Sequence, residues 1–407
     1  MKQTNFKVYS YRWIVLFVFM AVVLLNQLLW ITFAPITSSA ANYYQVSDLS
    51  IGLLSMSFMI VYILVSIPAS WVIDTYGIRI AVGIGVALTG IFGLMRGLVA
   101  SNYTLVLLAQ IGIAIGQPFI LNAITKVAAR WFPLEERATA AGLGSLAIYL
   151  GIMAGLVLTP YLLLHLGMDG MLLAYGVAAM ITAAVFFVFA REHPPTPPCS
   201  SDQEVRSLVF DGLGQSLRNK NFILLMLIVF VGLGIFNAIM TWIEEILKPR
   251  GFSTVQVGVV GSLMIIGGII GAIVIPLLSD RYRKRVPFLV LALCGTILGL
   301  IGLTIALNYV LLLASSFILG FFLLSAGPIA FQYGAEVTYP APEGTTTGLL
   351  LMAGQVSGII FIFAMDVFRS PSTGSMTPSL LAFIFLLFLS LLICTKLKES
   401  KLIRQGS

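Results

Sequence analysis

Charged side chains are scarce in this sequence: 23 Lys and Arg with 16 Asp and Glu make up 10% of the chain, against roughly 25% in soluble domains. So few charges cannot cover a water-facing surface, which excludes a soluble globular protein. Histidine is rarer still, and His165 and His193 both fall outside the centres of the apolar runs, so no buried imidazole is available as a proton carrier. The three cysteines form no ligand spacing: Cys199 is in a polar segment, Cys294 and Cys394 in apolar ones. No disulfide and no metal site is expected. Neither HExxH nor GxSxG occurs, so the spacings of zinc and serine hydrolases are missing, and the expectation is a protein without catalytic residues or cofactor.

What is abundant is apolar sequence, 59% of the residues. A helix needs about 20 apolar residues to cross a bilayer core. Twelve such runs occur, roughly at 12–36, 50–73, 78–98, 104–128, 140–164, 170–190, 222–247, 255–278, 286–306, 309–334, 345–365 and 379–395. The first is too long, and too polar in its second half, for a signal peptide, so it reads as a permanent span. The expected class is an all-α membrane protein embedded in the cell membrane.

Basic residues in short loops set membrane orientation. With the N-terminus cytoplasmic, all but four of the 23 Lys and Arg fall on the cytoplasmic side, the exceptions being Arg96, Lys248, Arg250 and Arg369. Both termini are therefore expected inside. The net charge of +7 is then a topology signal, and no nucleic-acid partner is implied.

A Pro-rich polar break, REHPPTPPCSSDQEVRS, separates the sixth and seventh runs. It divides the chain into 1–190, a linker 191–221, and 222–407. The two parts resemble each other at a fixed shift. Ser47 and Gly52 recur as Ser253 and Gly258, and Asp74 recurs as Asp280, all at an offset of 206; Pro133 and Glu136 recur as Pro340 and Glu343 at 207. Six spans have been duplicated. An even number per copy makes the copies parallel, which is the arrangement of major facilitator transporters. The segment SWVIDTYGIR, with Asp74, Gly77 and Arg79, resembles that superfamily's loop signature between its second and third helices, with Ser70 replacing the first glycine. The resemblance implies the major facilitator fold, two six-helix bundles, working as a monomer on a small-molecule substrate.

In that setting the loop charges become a candidate latch that breaks when the transporter opens inward. Asp74, Arg79, Arg137, Asp280, Arg281 and Glu343 are its expected members, with Asp74 capping a helix N-terminus or pairing with Arg137.

Polar residues inside the runs mark a candidate substrate site. NQLLWITFAP places Asn26 and Trp30 four residues apart on one helix face. Gln117 and Gln355 fall near the middle of the fourth and eleventh runs, where transporters of this type hold substrate. Tyr149 and Asn237 are further polar groups at depth, and the 206 offset carries Trp30 onto Phe236. Two rings facing one cavity suit an organic cation, because aromatic faces attract cations. Acids are absent from the span centres, which favours facilitated diffusion over proton coupling. The exception is Glu244 with Glu245 in TWIEEILKPRG, read as a solvated helix end paired with Lys248 or Arg250, or alternatively as the coupling site of a proton-driven transporter for another organic compound.

The segments NQLLWITFAP, GQPFILNAITKVAARWFP and EVTYPAPEGTTTGLLLMAGQVSGIIF resemble the feline leukaemia virus subgroup C receptor-related transporters, which carry choline and ethanolamine, with haem also proposed for members. The compact loops and termini resemble a prokaryotic member. In that family a Trp of helix 1 and a Tyr of helix 7 enclose the ammonium, aided by Gln residues. Trp30, Gln117 and Gln355 match those positions, whereas Asn237 stands where the Tyr would be, with Phe236 beside it.

Overall fold

The computed structural model describes residues 8–196, 213–339, 341, 343–370 and 372–399. Most of the linker, 197–212, lies outside them. The chain divides into two compact units, Met1–Val205 and Arg206–Ser407, each described here by itself. Among the described residues all regular structure is helical.

The first unit runs α1 (Tyr11–Ile31), α2 (Thr37–Tyr44), α3 (Asp48–Tyr76), α4 (Ile78–Leu98), α5 (Tyr103–Leu121), α6 (Ile124–Trp131) and α7 (Leu134–Phe189). The second runs α8 (Leu213–Arg218), α9 (Lys220–Thr241), α10 (Ile243–Leu247), α11 (Thr254–Tyr282), α12 (Val286–Ile305), α13 (Tyr309–Thr338), α14 (Glu343–Val367) and α15 (Thr377–Cys394). Eleven stretches of described helix are long and apolar enough to cross a bilayer, one of them 51 residues, Thr139–Phe189. At about 1.5 Å per residue that one is more than twice a bilayer core. It is two spans, turned at Gly167, whose φ of 69° is open to glycine and costly for other residues. The described residues therefore hold twelve spans.

Duplication is visible in the way helices begin. The Ser47 hydroxyl accepts the Ser50 N–H and the Ser253 hydroxyl accepts that of Gln256, the latter in a full capping box. Asn102 and Asn308, again 206 apart, cap α5 and α13 through the N–H groups of Leu105 and Leu311 at 3.1 and 2.7 Å. Helix pairing repeats as well: α3 and α4 pack on α5, just as α11 and α12 pack on α13, and α1 packs on α7 as α9 packs on α14. The outward sides of the bundles are apolar, with Leu64, Leu98 and Leu164 each about 70% exposed, as a lipid solvent requires.

Three spans break where an unbroken helix was expected. The first stops at Ile31, where the Thr32 hydroxyl bonds back to the Leu28 carbonyl at 2.9 Å and Pro35 then opens a short 3-10 turn. The fourth breaks between α5 and α6 at Asn122 and Ala123, four residues past Pro118. There Asn122 donates to Ser66 and Ser70 on α3 and accepts from the Tyr62 hydroxyl at 2.8 Å, so its side chain sustains the break. The seventh breaks at Trp242, 206 residues after Ile36, and both residues leave helical geometry at ψ near 20°.

Candidate functional site

In the first unit, α1 carries Asn26 and Trp30 to different neighbours. Asn26 is fully buried and donates to the Thr89 hydroxyl of α4 at 3.3 Å. Trp30, 6% exposed, donates its indole N–H to the Ser55 carbonyl of α3 at 3.2 Å. One residue ties α1 to α4 and the other ties it to α3.

Gln117 is the central residue of the span Tyr103–Trp131. Among the described residues its amide bonds to no protein group, yet it is not sealed in. Tyr149 of α7 is half-buried, and its hydroxyl is likewise unpaired but reachable. Trp30, Gln117 and Tyr149 make no hydrogen bond to one another.

In the second unit Phe236 is buried on α9, and Asn237 beside it donates to the Gly354 carbonyl at 3.3 Å. That contact puts Asn237 against the residue preceding Gln355 on α14. Gln355, close to the centre of the span Thr345–Val367, is half-buried with an unpaired, reachable amide. The two matched glutamines thus share one condition: a mid-span amide that bonds to no protein group among the described residues and is not sealed in. An unpaired amide in hydrocarbon costs several kcal/mol, by the scale of about 4–8 for transfer to a solvent that cannot hydrogen-bond.

The acid pair departs from expectation. Glu245 is 0% exposed and pairs with Arg369, and Glu244 is buried beside it. The expectation that Glu244 and Glu245 form a solvated helix end is therefore corrected: both are buried. The cause is the break at Trp242, which folds α10 inward; the Trp242 indole donates to the Ile362 carbonyl at 3.1 Å. Arg250 instead donates to the carbonyls of Leu303 and Ala306.

The loop charges also pair differently. Asp74 is joined by Lys126 at 2.5 Å, while Arg137 donates to the Phe132 carbonyl at 3.3 Å. Arg137 is thus not the partner of Asp74. The break at Asn122 precedes α6, whose Lys126 reaches the end of α3 and also donates to the Ile73 carbonyl at 3.0 Å. Nor does Asp74 cap a helix. That role belongs to Glu192, whose carboxylate accepts the N–H groups of Ile78 and Arg79 at 3.1 and 2.7 Å and faces Arg130 at 3.6 Å. The Arg79 side chain itself is exposed. In the second unit Asp280 pairs with Arg285 rather than with the exposed Arg281, and Arg285 also reaches Glu336 at 3.0 Å. Burial pulls the Arg285 pKa down, but its hydrogen bonds to Asp280 and Glu336 outweigh that and hold it above the ordinary value. The side chain of Glu343 lies outside the described residues. Glu192 was legible in principle, because Glu399 follows the last span of the second copy at an offset of 207.

The Major Facilitator Superfamily profile matches residues 15–362. The chain belongs to the major facilitator superfamily. Its fold agrees with a crystal structure of a bacterial homologue of the human lysosomal transporter Spinster, inward-facing and unoccupied, at a TM-score of 0.76 and 16% identity over 96% of this chain and 98% of that one. Solute carrier family 49 member A3 of Xenopus tropicalis is 32% identical over 390 residues, 91% of this chain and 80% of the relative. At that identity and coverage the chain also belongs with solute carrier family 49. The choline/ethanolamine transporter FLVCR2 of Rattus norvegicus is 29% identical over 379 residues, 87% of this chain and 69% of the relative. This major facilitator protein is thus a multi-pass membrane transporter and not an enzyme.

Proposed function

We propose that the protein moves a small organic cation, an amine or quaternary ammonium of the choline or ethanolamine kind, by facilitated diffusion through alternating access. The carrying observation is the pair of mid-span amides, Gln117 and Gln355, which bond to no protein group among the described residues and are not sealed in. Their unit-mates supply the rest of the assignment: Trp30 with Asn26 and Tyr149 in the first unit, Phe236 with Asn237 in the second. An indole face attracts an ammonium by about 2 kcal/mol or more once water is removed. The names of the relatives, choline and ethanolamine transporters among them, point the same way.

Facilitated rather than proton-coupled transport is supported by Glu245. Its carboxylate already faces Arg369, so protonating it would remove that ion pair. A cation would instead be drawn inward by the membrane potential, about 2.3 kcal/mol per charge per 100 mV. With both termini in the cytoplasm, as the basic loops suggest, the clusters around Asp74 with Lys126 and around Asp280 with Arg285 lie on the inner side and serve as gating contacts, with Arg79, Arg137, Arg281 and Glu343 as further members of the same loops. Radiolabelled choline and ethanolamine uptake into liposomes, with and without a pH gradient, tests this reading. Saturable uptake without the gradient supports it; uptake only with the gradient, lost in Glu245→Gln, overturns it.

A further inference from the structure

Arg96 sits near the end of α4 and is 0% exposed. Among the described residues no carboxylate comes within ion-pair distance of it. Burying a cation without a counter-charge is costly, and side chains that do so in membrane helices mark function by default. Its Nη1 donates to the Gln110 amide oxygen at 2.7 Å and to the Leu29 carbonyl at 3.2 Å, and Gln110 Nε2 donates to the same carbonyl at 3.3 Å. The guanidinium lies 5.6 Å from the centre of the Phe33 ring. Leu29 is one of the last four residues of α1, whose carbonyls lose their helical partners where the helix stops.

Leu29 immediately precedes Trp30. The indole of Trp30 is held on one side by Ser55; its backbone is held on the other by Arg96 and Gln110. Arg96 is itself fixed, because the next residue, Gly97, packs on the backbone of Leu173, where an added Cβ would come within 2.6 Å. The fold does not demand this arrangement. At the equivalent position of the duplicated unit stands Gly302, and that unit secures its broken helix by other means, the Trp242–Ile362 hydrogen bond and the Glu245–Arg369 pair.

We propose that Arg96 is a positioning residue: with Gln110 it pins the broken end of α1 so that the Trp30 ring is held in the orientation that receives substrate. The inference rests on the proposed role of Trp30, and its test separates the two. In a protein whose other four tryptophans, Trp13, Trp71, Trp131 and Trp242, are replaced by Phe, Trp30 fluorescence and its quenching by acrylamide read the pin directly, without substrate. Choline uptake is measured in parallel on the same variants in the natural tryptophan background.

Arg96→Met is expected to raise the Trp30 quenching constant at least two-fold and the choline KM about ten-fold, with Arg96→Lys between it and the unaltered protein. Gln110→Leu, which keeps the charge, is expected to move both readouts in the same direction and covers the case in which Arg96→Met does not fold. Unchanged quenching and KM in folded Gln110→Leu and Arg96→Lys, with only a lower yield, would overturn the proposal. Loosened Trp30 fluorescence together with full choline uptake in Trp30→Ala would uphold the pin and retire Trp30 as a substrate residue.

Discussion

Glu192 and Glu399 stand 207 residues apart and act alike. Each carboxylate accepts the first backbone N–H groups of the third span of its own unit, Ile78 and Arg79 for one, Arg285 and Val286 for the other. Helix N-termini carry partial positive charge and unpaired donors, so a carboxylate satisfies both needs at once. The end of the last span in each unit is thereby tied to the start of its third.

Glu192→Gln should lower stability by about 1 kcal/mol, the usual worth of an N-terminal cap, and Glu399→Gln by a similar amount. Thermal unfolding of the detergent-solubilised protein checks this. The two losses should add, since each acts within its own unit.

Asp74 and Lys126 form an exposed pair, and such pairs contribute about 0–1 kcal/mol. Asp74→Asn should therefore leave expression and melting temperature nearly unchanged while lowering the transport rate, if the contact closes and opens during the cycle. The reversed pair, Asp74→Lys with Lys126→Asp, should recover more activity than either single reversal. Arg137→Gln should not mimic Asp74→Asn, because Arg137 bonds elsewhere.

Breaking a fully buried ion pair by removing one partner costs about 3–5 kcal/mol, and the Glu245–Arg369 pair, with Arg369 26% exposed, should cost less than that. Glu245→Gln should accordingly destabilise the second unit measurably, and Glu245→Gln combined with Arg369→Gln should restore part of the loss. A coupling carboxylate would behave otherwise: Glu245→Gln would fold normally and abolish the response to a pH gradient.

Gln117→Leu and Gln355→Leu each remove an amide that the protein does not use internally. Neither should reduce thermal stability, and an apolar replacement can raise it slightly. Each should raise the choline KM about ten-fold, the equivalent of about 1.4 kcal/mol per decade. Uptake kinetics on matched amounts of reconstituted protein provide the comparison.

The span count, the duplication and the superfamily were legible because they rest on period and repetition: apolar runs of bilayer length, and Ser47 with Ser253 or Asp74 with Asp280 at one offset. The helix breaks at Thr32, Asn122 and Trp242 were not, because each is decided by which carbonyl a side chain finds in a neighbouring helix or turn. Errors in pairing followed from the breaks. Lys126 reaches Asp74 because α6 has turned, and Glu245 is buried because α10 has. The surroundings of Arg96 were illegible for a related reason: in the sequence it is one of four basic residues off the cytoplasmic side, and only the folded bundle brings Leu29, Phe33 and Gln110 around it.

The central claim is that a single organic cation crosses by way of Trp30 and the two mid-span glutamines without a coupled proton. Choline uptake into proteoliposomes under a potassium diffusion potential, inside negative and at equal pH on both sides, tests it most directly. The account predicts saturable uptake that rises with the potential and is lost in Trp30→Ala and in the Gln117→Leu, Gln355→Leu double variant. Absence of uptake by the unaltered protein, or undiminished uptake in those variants, would contradict it.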